Sequence, residues 1–150
     1  MIVEYRGRGH EHFYDEIIRI FDWMNLHRRE FLQREFTCAS LRPWDNFFWF
    51  VELAGFPERS IVVPLAWPKP QSRVAHTEAT IGPNNRVRVK SAASQVTVWL
   101  SPEMVDFSER IEVSINGRVK GREVEPSLEV LLEDVRTRGD RFHPFWAKVN

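Results

Sequence analysis

One cysteine, Cys38, is all the thiol chemistry in this chain of 150 residues. A lone cysteine excludes an internal disulfide framework and a cysteine-based zinc site. Net charge is just as scarce, because 21 basic residues offset 21 acidic ones. That balance leaves no electrostatic footprint for nucleic acid or an anionic membrane. No apolar run approaches the roughly 20 residues that span a bilayer, and the opening residues Met1–His12 contain no apolar signal-peptide core. Neither nucleic acid nor membrane is therefore expected as a partner. The compartment stays open, since an export signal in a longer parent would lie upstream. Also missing is a nucleophile elbow of the G-x-S-x-G type: no serine has a glycine two residues away on either side. There is no glycine-rich phosphate loop, internal repeat or low-complexity segment.

What is present is enough apolar material for a real core, 43% of residues, of which aromatics make up a large part at 13% of the chain. Residues 2–5, Ile-Val-Glu-Tyr, read as a short strand, and Arg6-Gly7-Arg8-Gly9 as a tight turn. From Phe13 to about Gln33, the apolar residues Phe13, Ile17, Ile20, Phe21, Met24 and Phe31 recur at spacings of three, four and seven. That is one helix stripe. After Glu35 the pattern becomes β-like. Phe47–Leu53 is an apolar run of strand length, and Arg86–Lys90 alternates with Val87 and Val89 on one face. Gln95–Leu100 and Glu109–Ile115 follow, the latter ending at the hairpin signal Asn116-Gly117. Pro83-Asn84-Asn85 reads as a turn. Phe56-Pro57-Glu58 and Trp67-Pro68-Lys69-Pro70 read as linkers. Ser127 is a candidate N-cap for a late helix carrying Leu128, Leu131, Leu132 and Val135 and stopping at Gly139. Phe142 to Asn150 could add a last strand.

The expected fold is mainly β with flanking helices, in the α+β class. A strand-loop-helix unit over residues 1–34 precedes an antiparallel, sandwich-like domain over 35–150 with one late helix. A lone strand and one helix cannot bury both faces. The first unit therefore packs on the β domain or belongs to a sheet outside this chain.

Chemistry concentrates in Gly7-Arg8-Gly9-His10-Glu11-His12-Phe13, between the first strand and the first helix. A general base must present an imidazole from such a turn, with its other nitrogen held by a carboxylate. A metal site is a second reading, because His10, His12 and Glu16 form an H-x-H-x-x-x-E spacing. The glycines of the matching cupin-type motif are absent, however, and Glu16 falls within the helix. A polar turn that merely caps the helix is the third.

The stretch Tyr5–Phe13, followed by Ile20-Phe21-Asp22-Trp23-Met24, resembles the last catalytic segment of α/β-hydrolases, particularly the prolyl-oligopeptidase-like peptidases. There a late strand, a Gly-His loop and a final helix close the hydrolase domain. The resemblance implies that His10 is the catalytic histidine, last in the order Ser…Asp…His. It also implies that the chain is the C-terminal part of a serine peptidase or esterase and inactive alone. Its serine and aspartate would lie before Met1, its partners being the upstream hydrolase domain and a peptide or ester substrate, with no cofactor or metal. The remainder is similar to the β extensions of some large hydrolase-like peptidases, on Ser40-Leu41-Arg42, Asp45-Asn46, Trp99–Asp106 and Val113–Gly117.

Trp44-Asp45-Asn46-Phe47-Phe48-Trp49-Phe50 offers an alternative function, a stacking platform for carbohydrate or peptide. A strand covered on both faces explains it more simply. Cys38 reads as a small buried apolar residue. Arg138-Gly139-Asp140 matches an adhesion tripeptide in a place where Gly139 already serves as a helix stop. Arg86, Arg88 and Lys90 read as a solvated strand face.

Overall fold

The computed structural model describes residues 4, 6–7, 9–10, 12, 14–28, 30–62, 73–121 and 123–150, except for the side chain of residue 15. The chain divides into two compact units, Met1–Glu30 and Phe31–Asn150. The first contains helix α1 (Tyr14–Asn25). The proposed strand at 2–5 lies largely outside the described residues.

Helix α1 is shorter than its apolar periodicity suggests, ending at Asn25 rather than near Gln33. Leu26 and His27 donate their backbone N–H groups three residues back, to Trp23 and Met24. The His27 ring donates from Nδ1 to the Trp23 carbonyl at 2.8 Å and packs on the Trp23 ring, 4.2 Å between centroids. A side chain thus satisfies a carbonyl that another helical turn would have used. Phe31, which fits the stripe by spacing, belongs instead to the second unit.

The second unit is the mainly β fold, with nine strands in two sheets among the described residues. One sheet has the order β1 (Glu35–Ser40), β4 (Ala75–Gly82), β5 (Arg86–Ser91), β7 (Glu112–Ile115), β8 (Arg118–Gly121). The other has the order β2 (Phe47–Phe48), β3 (Val51–Ala54), β6 (Gln95–Leu100), β9 (Ala147–Val149). Val87, Val89 and Val113 from the first sheet and Val51, Val98 and Leu100 from the second share one buried cluster. The two sheets therefore close on a common core as a sandwich. Among the described residues, all strand pairs are antiparallel except β5 with β7. Between those two strands the chain crosses to the other sheet as β6 and returns, so β7 runs in the direction of β5.

Turn chemistry sets the register. Asn116, at φ 50°, and Gly117, at φ 78°, join β7 to β8, the positive pair that a two-residue hairpin needs. Asn84 and Asn85 also take positive φ. Asn85 exchanges two hydrogen bonds with the Asp106 backbone, both 2.9 Å, and so ties the β4–β5 turn to the 101–110 loop. Phe47–Leu53 is two strands rather than one. Trp49 at φ 50° turns the chain between β2 and β3. Its ring lies 4.7 Å from that of Phe36, a contact that helps hold a bulky residue in a disfavoured conformation.

Helix α2 (Leu128–Arg138) starts at Ser127, whose Oγ accepts from the Val130 N–H at 3.4 Å, and stops at Gly139 in the left-handed region at φ 71°. Its inward face differs from the leucine stripe: Leu128 and Leu132 are exposed, while Asp134 is 1% exposed. The reason is polar. Arg138 grips both carboxylate oxygens of Asp134, through Nε and, at 2.6 Å, through Nη2. The same carboxylate accepts the Phe145 N–H at 2.9 Å, and Arg138 donates to the His143 carbonyl at 3.0 Å. The helix is oriented by this network and leads the chain into β9.

A buried pair broken on one side leaves an uncompensated charge, whereas an exposed pair costs little to lose. Asp134→Ala is expected to lower stability in urea unfolding by about 3 kcal/mol. Glu133→Gln, which breaks the exposed 2.6 Å pair with Lys148, should cost less than about 1 kcal/mol. Equal losses would contradict the role assigned to Asp134.

Candidate functional site

Two places gather chemistry, one in each unit. In the first unit, Arg6 and Gly7 form a turn with Gly7 at φ 76°, a conformation open to glycine and strained for other residues. His10 follows on an exposed bend, four residues before α1 begins. His12 is exposed, with its ring 5.3 Å from that of Tyr14. Glu16 pairs with Arg19 at 3.4 Å. Among the described residues, no group of three His, Cys, Asp or Glu side chains is placed to hold a metal ion. The spacing of His10, His12 and Glu16 is therefore not converted into a ligand set.

The unit Met1–Glu30 contains no Ser, Thr or Cys. No serine, threonine or cysteine within it can serve as the nucleophile that a histidine base activates. Ile17, Ile18, Ile20, Phe21, Trp23 and Met24 are all exposed, Ile18 at 70% and Phe21 at 59%. Isolated helices of this length are marginal in water, and most helical stability comes from packing an apolar face.

In the second unit, a cavity of about 60 Å³ opens beside the end of α2. Phe31, Trp49, Phe50 and Phe145 supply aromatic walls, and Ser101, Glu103, Asp140 and His143 supply polar groups. His143 Nδ1 bonds Glu103 Oε1 at 2.8 Å, and the His143 ring stacks on Phe31 with centroids 4.3 Å apart. Asp140 Oδ1 accepts the N–H groups of Phe142 and His143 at 2.9 and 3.0 Å. Those two bonds, with the nearby charge of Arg138, hold the Asp140 carboxyl below its ordinary range. Arg138 lies over the Phe145 ring at 4.3 Å. Nothing in the sequence patterns singles out this cluster, because its members come from residues 31 to 145 and converge only through the sandwich.

The adhesion-like tripeptide is tied up in this framework: Arg138 in its ion pair, Gly139 in the helix stop and Asp140 on the following backbone. The aromatic segment divides. Phe50 is buried, while Trp44 is 61% and Trp49 43% exposed. Arg86, Arg88 and Lys90 all lie on the exposed face of β5 or its margin. A larger hollow of about 620 Å³ beside β6 and the β7–β8 hairpin is lined by exposed polar side chains, including Arg118 and Lys120. No helix among the described residues is long and apolar enough to cross a membrane.

Cys38 is half-buried on β1, and burial pushes its thiol up to about 11. No protein-family model, curated protein or solved structure matches this chain. A thiol so raised is almost wholly protonated at pH 8, and the thiolate is the reactive form. Iodoacetamide should therefore alkylate Cys38 at least about tenfold more slowly in native protein than in urea, allowing for the greater intrinsic nucleophilicity of a high-pKa thiolate. Equal rates, followed by mass spectrometry, would contradict this.

Proposed function

We propose that this chain is the C-terminal part of a serine α/β-hydrolase, a peptidase or esterase. In this reading His10 is the general base and the sandwich is an accessory domain. The observation that carries the reading is the apolar face of α1. The unit bearing His10 leaves six large apolar side chains of one twelve-residue helix exposed, as an element cut from a larger sheet-and-helix layer would. The exposed bend at His10 supports it, since a base must reach a hydroxyl on another segment. The lack of any serine, threonine or cysteine within Met1–Glu30 fits a nucleophile supplied from elsewhere.

In the mechanism this implies, the His10 imidazole takes the proton of an upstream serine as that serine attacks the acyl carbon. His10 then returns the proton to the leaving alcohol or amine. A carboxylate outside these residues would hold the second ring nitrogen. A second reading, a sandwich module that stacks carbohydrate or peptide on its aromatics, draws on the exposure of Trp44 and Trp49. Signal on a glycan or peptide array that disappears in Trp49→Ala would favour it.

The 150-residue chain should not hydrolyse p-nitrophenyl acetate above the buffer rate. A chain extended upstream should do so, and His10→Ala in that longer chain should lower kcat by about 10³-fold or more. Full activity of the extended His10→Ala protein would overturn the assignment.

A further inference from the structure

We propose that Asn116 is a site of spontaneous covalent modification, at which the Gly117 amide nitrogen displaces the side-chain amide as ammonia, and that the β5–β7 ladder holds this reaction in check. The site lies wholly within Phe31–Asn150 and stands whether or not His10 is a catalytic base.

Of the six asparagines in the chain, Asn116 alone is followed by glycine. Asparagine is among the thermolabile residues, and glycine, with no Cβ, leaves its own amide nitrogen open to approach. Nothing lies within 4 Å of where a Gly117 Cβ would stand, and both residues are exposed. The reaction needs no oxidant or reductant. The Gly117 nitrogen gives up its proton and forms a bond to Asn116 Cγ. The Cγ–Nδ2 bond breaks, and ammonia leaves carrying a proton in place of the one Gly117 lost. The resulting succinimide ring then takes up water. Opening at Cγ gives aspartate with the backbone unchanged. Opening at the main-chain carbonyl gives isoaspartate, whose backbone runs through Cβ and Cγ and is longer by a carbon.

The fold supplies the check. Asn116 donates its backbone N–H to the Val89 carbonyl at 2.8 Å, and its Oδ1 accepts the Ser91 N–H at 2.9 Å. In a continuing parallel ladder that second bond would go to the Asn116 main-chain carbonyl. Here, with Asn116 in the left-handed region at φ 50°, the side-chain oxygen takes it instead. The asparagine amide is thus fastened to the end of β5. Attack requires Cγ to swing toward the Gly117 nitrogen, and a Cγ held by Ser91 is not free to do so. The hairpin that must yield lies at the margin of its sheet. β8 is an edge strand paired with β7, and its Arg118, Val119 and Lys120 are exposed. Elements of that kind open locally at less than the free energy of global unfolding. In the folded chain the reaction therefore runs through opening of the β7–β8 hairpin. An isoaspartate formed there lengthens a turn whose two residues set the register of Ile115 against Arg118.

The test compares two rates that the same opening governs, in the unaltered 150-residue chain. Native and urea-unfolded protein are incubated at mildly alkaline pH, and loss of the amide at each asparagine is followed by peptide mass spectrometry. Chromatography resolves isoaspartate from aspartate. In urea, Asn116 should react at least about tenfold faster than Asn46 or Asn84, which are followed by residues with side chains. In native protein it should slow by the protection factor of the Ser91 amide in hydrogen exchange, to within about threefold. The isoaspartyl form should exchange its Ser91 and Arg118 amides about tenfold faster than the parent or more. Asn116→Asp keeps an acceptor for Ser91 and should hold both within a fewfold of the parent. Asn116 no faster than Asn46 in urea would overturn the site. A native rate equal to that in urea, or a Ser91 amide without protection, would overturn the gate. Unchanged Arg118 exchange in the isoaspartyl form would overturn the effect on the hairpin.

Discussion

The ion pair between Asp134 and Arg138 governs the part of this molecule that sequence patterns describe least well. A carboxylate 1% exposed to solvent is costly unless paired and hydrogen-bonded, and here every demand is met by one short segment. Arg138 satisfies both oxygens from one helical turn away, and the Phe145 amide adds a third bond. Arg138 in turn fixes the His143 carbonyl and covers the Phe145 ring. The helix end, the 140–146 loop and the entry to β9 are thereby one rigid construction. Beyond it, Trp99 on the outer face of β6 is covered as well, donating to Glu52 at 3.0 Å with Lys148 over its ring at 5.2 Å. On the outer face of the second sheet Trp99 is covered, while Ala54, Gln95 and Lys148 are exposed; β4 and β5 of the first sheet keep an alternating, solvated face.

That asymmetry explains how much of the fold was legible. Strands β5 and β7 alternate large branched residues with polar ones, and their turns at Asn84-Asn85 and Asn116-Gly117 carry asparagine and glycine, so period and punctuation agree; β6 alternates over Gln95–Val98. β4 alternates just as strictly, but its inward residues are Ala75, Thr77, Ala79 and Ile81. Small side chains give little hydropathic contrast, and no strand is evident there without pairing partners. β1 has the same weakness, with Cys38 and Ser40 turned inward behind Phe36. In α2 the stripe is split, with Leu131 and Val135 half-buried but Leu128 and Leu132 exposed, because the buried Asp134–Arg138 pair helps set the inward face. Trp49 breaks an apolar run that propensity would continue, and only its contact with Phe36 accounts for that.

The sites divide along the same line. The His10 loop is a local motif, readable because its glycines, histidines and helix lie within a few residues of each other. The cavity by Ser101 is assembled from five separate stretches and has no sequence signature.

The proposed function makes α1 an interface element whose partner surface lies on a longer polypeptide. Amide hydrogen exchange over Tyr14–Asn25 tests it most directly, compared between the 150-residue chain and a chain extended upstream. The account predicts weak protection in the short chain and protection raised at least about a hundredfold in the long one, as for an element joined to a cooperative core. Helix amides exchanging equally fast in both, or already fully protected in the short chain, would contradict it.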